Sequence, residues 1–207
     1  MVRVKVCGVT TVEQAVACVE LGVDAIGVNL VPASPRRVDE AAARAIAQAV
    51  GDRTLVVAVI ADLPVDAMRA LLQRTGAGCI QLHGAESPDD VAAVLPHAYK
   101  AVGIAGPEDV ARAEAMPGDY VMVDAKVPGS LGGTGHTFDW SLVAGLAKTR
   151  RLVLAGGLRP ENVAAAVAAV GPWCVDVASG VESSPGVKDM GKVEAFLREA
   201  RRAVTPT

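Results

Sequence analysis

Short apolar runs alternate with longer alanine-rich amphipathic segments eight times along this 207-residue chain. The runs are Arg3–Cys7, Ala25–Leu30, Leu55–Ile60, Cys79–Leu82, Tyr99–Val102, Tyr120–Val123, Leu152–Ala155 and Cys174–Ala178. The segments Val12–Leu21, Glu40–Val50, Val65–Arg74, Pro88–Leu95, Pro107–Ala115, Trp140–Ala147, Pro160–Val170 and Lys192–Ala203 carry the apolar spacing of helices. Parallel strands become neighbours only through a crossover of about a dozen residues, and the chain holds eight such units and little else. Gly22, Gly76 and Gly118 each precede a run, where the turn out of a helix favours glycine. Several helical segments open on proline, whose missing N–H costs nothing in a first turn. The expected fold is α/β, a single-domain (β/α)8 barrel spanning residues 1–207. An open doubly wound sheet is the alternative. Eight units in so few residues, with no Gly-x-Gly-x-x-Gly after the first run, favour closure.

Composition narrows the function classes. A net charge of −3 and a pI near 5.6 give no basic field, so nucleic acid is not an expected partner. Cys7, Cys18, Cys79 and Cys174 are scattered without a Cys-x-x-Cys pair, which reads as reduced cytosolic thiols. The N-terminus opens into a strand without the basic-then-apolar order of a signal peptide. The longest apolar run, Leu55 to Ala61, is too short to span a bilayer. A cytoplasmic chain with no membrane partner is expected. His83, His97 and His136 stand far apart without a spaced ligand pair, so no metal site is expected.

Candidate chemistry lies at the ends of the runs. On the first strand Val2, Val4 and Val6 share one face, while Arg3, Lys5 and Cys7 share the other. With the valines against helices, Cys7 points into the centre at the C-terminal end, where such barrels carry their active groups. A single cysteine is ordinarily a small buried apolar residue; its company here argues otherwise. Arg36 follows the second run, His83 directly follows the fourth and Asp124 the sixth. Each alone carries little, since a lone Asp is usually a cap, a lone His structural and a loop Arg solvated. Gly156-Gly157 and Ser179-Gly180 follow the last two runs, where barrels cradle phosphate with backbone N–H groups. Gly129 to Gly135 lacks the ending of a nucleotide-binding loop and reads as a flap or a plain loop. Cys7 and Asp124 are therefore the expected base and acid. Lys5, below Cys7, is expected to pair with Asp176 and to lower the thiol pKa.

Val4-Lys5-Val6-Cys7-Gly8, Ser34-Pro35-Arg36, Gln81-Leu82-His83-Gly84, Gly132-Gly133-Thr134-Gly135 with Phe138-Asp139-Trp140, Leu154-Ala155-Gly156-Gly157-Leu158, Ser179-Gly180-Val181-Glu182 and Pro185-Gly186-Val187-Lys188-Asp189 resemble phosphoribosylanthranilate isomerase of tryptophan biosynthesis, in order and over essentially the whole chain. The resemblance implies a cofactor-free and metal-free Amadori rearrangement of a small phosphorylated substrate by a monomer or homodimer. Asp124 would protonate the furanose oxygen, Cys7 would remove the C2′ proton, and Arg36 would hold the anthranilate carboxylate. His83, Gly156, Gly157, Ser179 and Gly180 would complete the substrate contacts. Two positions depart from the pattern: Asn29-Leu30, where an aromatic residue is common, and Ala178, where serine is usual.

Sibling barrels fit less well. Indole-glycerol-phosphate synthase would want a lysine on the apolar third run. A pentulose-phosphate epimerase would want metal-binding histidines, and a histidine-pathway sugar isomerase an Asp in place of Cys7. A barrel that only binds a phosphorylated ligand would need neither an acid nor a base.

Overall fold

The computed structural model describes residues 1–125 and 138–203. Eight parallel strands close a barrel in chain order: β1 (Arg3–Cys7), β2 (Ala25–Asn29), β3 (Leu55–Ile60), β4 (Cys79–Leu82), β5 (Ala98–Ile104), β6 (Tyr120–Ala125), β7 (Arg151–Leu154) and β8 (Cys174–Val177). The helices around it are α1 (Val12–Glu20), α2 (Glu40–Val50), α3 (Val65–Thr75), α4 (Pro88–Ala93), α5 (Pro107–Glu114), α6 (Leu146–Thr149), α7 (Val163–Val170) and α8 (Met190–Arg202). The glycine run at 129–135 and His136 lie outside the described residues.

Strand alternation sorts the side chains as expected. Val4 and Val6 join Ile26, Val28, Ile80 and Leu82 in the core between strands and helices. Ala25, Val57, Tyr99, Met122 and Val153 face inward and fill the barrel below the mouth. Between that plug and the mouth the register sets Lys5 beside Asp176. A buried polar tier thus lies on an apolar floor and faces the open end.

Element ends differ from the sequence reading where side chains intervene. The sixth helical segment breaks into a 3-10 turn (Trp140–Val143) and the short α6, with Ala144 and Gly145 between them still in helical backbone conformation. α7 starts at Val163 rather than near Pro160, since Asn162 is already engaged: its Oδ1 accepts from Arg159 N–H and its Nδ2 donates to Gly157 O. β8 stops one residue early, at Val177, where Ala178 turns into a 3-10 turn over Ser179–Val181. The sequence reading missed a small hairpin of β9 (Glu182–Ser184) and β10 (Val187–Lys188), turned at Pro185-Gly186. These strands are too short and polar to show a period.

Candidate active site

Cys7 ends β1 with its side chain against Gly27 of β2. A Cβ on Gly27 would sit 2.7 Å from Cys7 Sγ and 3.2 Å from Lys5 Nζ, so the missing side chain makes room for both. Lys5 Nζ donates to Asp176 Oδ1 at 2.7 Å and to Gln81 Oε1 at 2.9 Å. The expected Lys5–Asp176 pair is therefore present, buried beneath the thiol. Burial acts against the ammonium, but the charge of Asp176, with those of Cys7 and Tyr99, outweighs it and holds the lysine pKa up.

Lys5 acts on the thiol in the expected direction but does not set the outcome. The Cys7 pKa is raised, because desolvation exceeds the lowering by Lys5, Asp176 adds to the rise, and Lys188 offsets only part. Asp176 answers part of the lysine charge, and burial outweighs what is left.

Arg36 lies across the backbone of Gly8, where a Cβ would come 2.5 Å from its Cδ; Gly8 itself has φ +76°. The arginine is not the free loop residue that its position suggested. Its Nε and Nη2 each donate at 2.8 Å to the two carboxylate oxygens of Glu182, and its side chain is only 11% exposed. One edge of the fork is thus taken by the protein, leaving the Nη1 side for a ligand. Glu182 also accepts from Lys188 Nζ at 2.7 Å and from Gly186 N–H at 3.2 Å. Burial would raise the Glu182 pKa, yet hydrogen bonds from Arg36 and Lys188 prevail and hold it low. Thr10 Oγ1 donates to Gly186 O at 2.7 Å, which ties the hairpin tip to the loop after β1.

Asp124, inward at the end of β6, is buried at 8% exposure. Its Oδ1 accepts from Ala125 N–H at 2.8 Å, and its Oδ2 lies 3.9 Å from His83 Nε2. Burial first, then the charge of Asp176, pushes its pKa up to about 6 against the pull of the Ala125 N–H and Lys5. His83 is driven the other way, to about 4, by burial and by the charges of Lys100 and Lys5. It is a neutral imidazole near pH 7.

The two glycine sites come together on the same rim. Gly156 and Gly157 have φ of +93° and +61°, backbone that only glycine adopts freely. A Cβ on Gly156 would lie 2.6 Å from Ala125 N and 3.2 Å from Asp124 Oδ1, so the loop after β7 presses on the Asp124 carboxyl. A Cβ on Gly180 would strike the Leu158 carbonyl, which puts the turns after β7 and β8 in backbone contact. Between them is a cleft of about 30 Å³ lined by Asp124, Gly156, Gly157, Asp176 and Ser179. The N–H groups of Gly156, Gly157, Ser179 and Gly180 make none of the hydrogen bonds formed among the described residues.

The departures have local roles. Asn29 Oδ1 accepts from Val31 N–H at 2.9 Å and its carbonyl from Val38 N–H at 2.8 Å, anchoring both ends of the Arg36 loop. Ala178 packs against the small cluster of Cys7, Val31 and Val59, and its carbonyl accepts from Lys188 Nζ at 3.2 Å. Sequence reasoning gave no role to Glu182, Lys188 or Gln81. The Pro-Gly turn flanked by opposite charges was the available signal for the first two. Among the described residues no group of three or more His, Cys, Asp or Glu is arranged to hold a metal ion.

A model of the family described as N-(5′phosphoribosyl)anthranilate (PRA) isomerase matches residues 4–199. A relative from Myxococcus xanthus (strain DK1622), named N-(5′-phosphoribosyl)anthranilate isomerase, is 47% identical over 205 residues, covering 97% of this chain and 96% of its own. The crystal structure of phosphoribosyl anthranilate isomerase from Thermotoga maritima matches with a TM-score of 0.89 at 36% identity, over 98% of this chain and all (100%) of that one. A structure of such an isomerase in complex with reduced 1-(o-carboxyphenylamino)-1-deoxyribulose 5-phosphate matches at 0.87 and 33% identity, over 98% of this chain and 100% of its own.

Proposed function

The chain belongs to the N-(5′-phosphoribosyl)anthranilate isomerase family, and from that premise we propose how its own residues carry the reaction. The enzyme converts N-(5′-phosphoribosyl)anthranilate to 1-(2-carboxyphenylamino)-1-deoxyribulose 5-phosphate in tryptophan biosynthesis. We read the whole chain as one catalytic domain. Its free thiols suit a reducing compartment such as the cytoplasm, and no helix among the described residues is long and apolar enough to cross a membrane.

Asp124 is the general acid. It gives its proton to the furanose ring oxygen while the C1′–O bond breaks, and the nitrogen lone pair forms a C1′=N bond. Cys7, as thiolate, then takes the C2′ proton. The C2′–H electrons form C1′=C2′ and the iminium electrons return to nitrogen. The resulting enolamine gains a proton at C1′ and loses the C2′ hydroxyl proton, ending as the ketone. Side chains tuned by burial and neighbouring charge supply both transfers.

Arg36, with one edge held by Glu182, offers the other to the anthranilate carboxylate. The substrate phosphate is assigned to the Gly156-Gly157 and Ser179-Gly180 turns, and His83 to the sugar beside Asp124. Ala178 costs this site little, since the donors are backbone groups. The observation that carries the reading is Cys7 and Asp124 facing one barrel mouth, both in reach of the Lys5–Asp176 pair. The test is turnover of freshly made substrate by purified protein, alongside rescue of a tryptophan auxotroph lacking this step. Activity and rescue, both lost in Cys7→Ala, are expected; a folded wild-type protein without turnover would refute it.

A further inference from the structure

We propose that Gln81 fixes the proton of His83 on Nε2, so that the imidazole beside Asp124 cannot take the acid's proton and can only donate. The inference rests on the reaction assigned above and adds a positioning residue to it.

The direction of each hydrogen bond follows from the donors involved. Lys5 Nζ carries only donors, and it reaches Gln81 Oε1 at 2.9 Å. Tyr99 Oη donates to the same atom at 3.0 Å. An amide turned the other way would set its NH2 against an ammonium, so the carbonyl faces Lys5. The NH2 group therefore points to His83 Nδ1, 2.8 Å away. An amide nitrogen only donates, which makes Nδ1 the acceptor. A neutral imidazole accepting at Nδ1 bears its hydrogen on Nε2. The imidazolium is excluded on the same geometry, because its Nδ1–H would face the Gln81 NH2; burial and the charges of Lys100 and Lys5 act in the same sense.

Nε2 lies 3.9 Å from Asp124 Oδ2. A bare Nε2 there would be a stronger base than the ring oxygen of a sugar and would compete with it as the acceptor of the Asp124 hydrogen bond. With its hydrogen in place, Nε2 serves the opposite purpose. It can approach the Asp124 carboxylate once the proton has left, or an oxygen of the bound sugar. Asp176, Lys5, Gln81 and His83 form one chain of hydrogen bonds through the barrel interior. The cation that supports the thiol therefore also sets the imidazole beside the acid. Gln81 is 1% exposed and acts through His83.

Nitrogen-15 spectra of the histidine rings read the tautomer directly, with His83 identified by the signals lost in His83→Asn. The wild-type protein is expected to show an unprotonated Nδ1 and a protonated Nε2 throughout the neutral range. In Gln81→Glu the carboxylate can only accept, so a proton should appear on Nδ1. Its kcat should fall roughly 10–100-fold with KM little changed, the usual effect of an outer partner that orients a working side chain. A merely structural Gln81 would lower Tm without moving the ring proton. A wild-type His83 protonated on Nδ1 would overturn the proposal, and so would a moved proton with unchanged kcat. The wild-type spectrum decides the tautomer even where the variant fails to fold. The expected tautomer in a protein without isomerase activity would uphold the lock and overturn the reaction assigned.

Discussion

The two walls of the barrel mouth bury the proposed base, Cys7, and the proposed acid, Asp124, to the same degree and leave them in opposite conditions. On the β6 wall, burial and the charge of Asp176 both favour protonated Asp124, so desolvation alone nearly makes the acid. On the β1 wall, the same desolvation favours the thiol, which is the idle form of a base. That wall carries the compensating cations: Lys5 beneath Cys7, Lys188 nearby, and Arg36 beside it, each tied to a carboxylate. In the free protein Asp124 titrates below Cys7, so the pair the proposed mechanism needs, protonated Asp124 with ionised Cys7, is a minority form. A low-dielectric mouth makes a carboxylic acid with little help, whereas a thiolate needs charge brought to it.

The largest effect should come from removing either working group. Cys7→Ala and Asp124→Asn should each lower turnover by about 10²–10⁴-fold, the ordinary share of a general acid or base. Near-wild-type rates in either folded variant would erase the contrast between the walls. Arg36→Ala should raise KM by about 10–150-fold, corresponding to roughly 1.5–3 kcal/mol for a charge-assisted contact. It should also lower Tm, because Glu182 loses two of its hydrogen bonds. An unchanged KM would leave Arg36 as a clamp between loops and nothing more.

Stability separates the walls next. An acid whose folded pKa is raised favours the fold while protonated and loses that advantage as pH rises through the folded pKa, here about 6. Asp124→Asn should therefore be more stable than wild type above that value, by about 1–3 kcal/mol, the difference closing below the ordinary carboxylate pKa. Melting curves at neutral and acid pH check this; an equal or lower Tm at neutral pH would contradict it. The smallest shift belongs to the base wall. Replacing Lys5 by Met together with Asp176 by Asn strands no charge. Lys5 affects the thiol more than Asp176 does, so the rise in Cys7 alkylation should move modestly to higher pH. An unmoved profile would reduce the pair to barrel packing.

The barrel was legible because each strand is a short, mostly apolar run ended by a turn, and parallel burial imposes that pattern wherever it occurs. The placement of Cys7, Asp124 and the glycine turns at one mouth was legible because strand ends fix where side chains point. The Lys5–Asp176 pair followed from alternation and from closure of β8 onto β1. What escaped depends on partners distant in the chain. Glu182 meets Arg36 across 146 positions, and Lys5 meets Gln81 across 76. No local period records such pairs. The thiol's raised pKa escaped for a related reason, since it is the balance of burial against several charges rather than the property of one neighbour.

The division of labour between the walls is tested most directly by trapping the open-chain imine. Substrate is mixed with Cys7→Ala or with Asp124→Asn in the presence of cyanoborohydride, which delivers hydride to C1′ of the iminium and leaves a stable secondary amine. Cys7→Ala keeps the acid and should yield this amine well above the level seen without protein. Asp124→Asn should yield no more than that background. Trapping by Asp124→Asn, with none by Cys7→Ala, would contradict the assignment of acid and base.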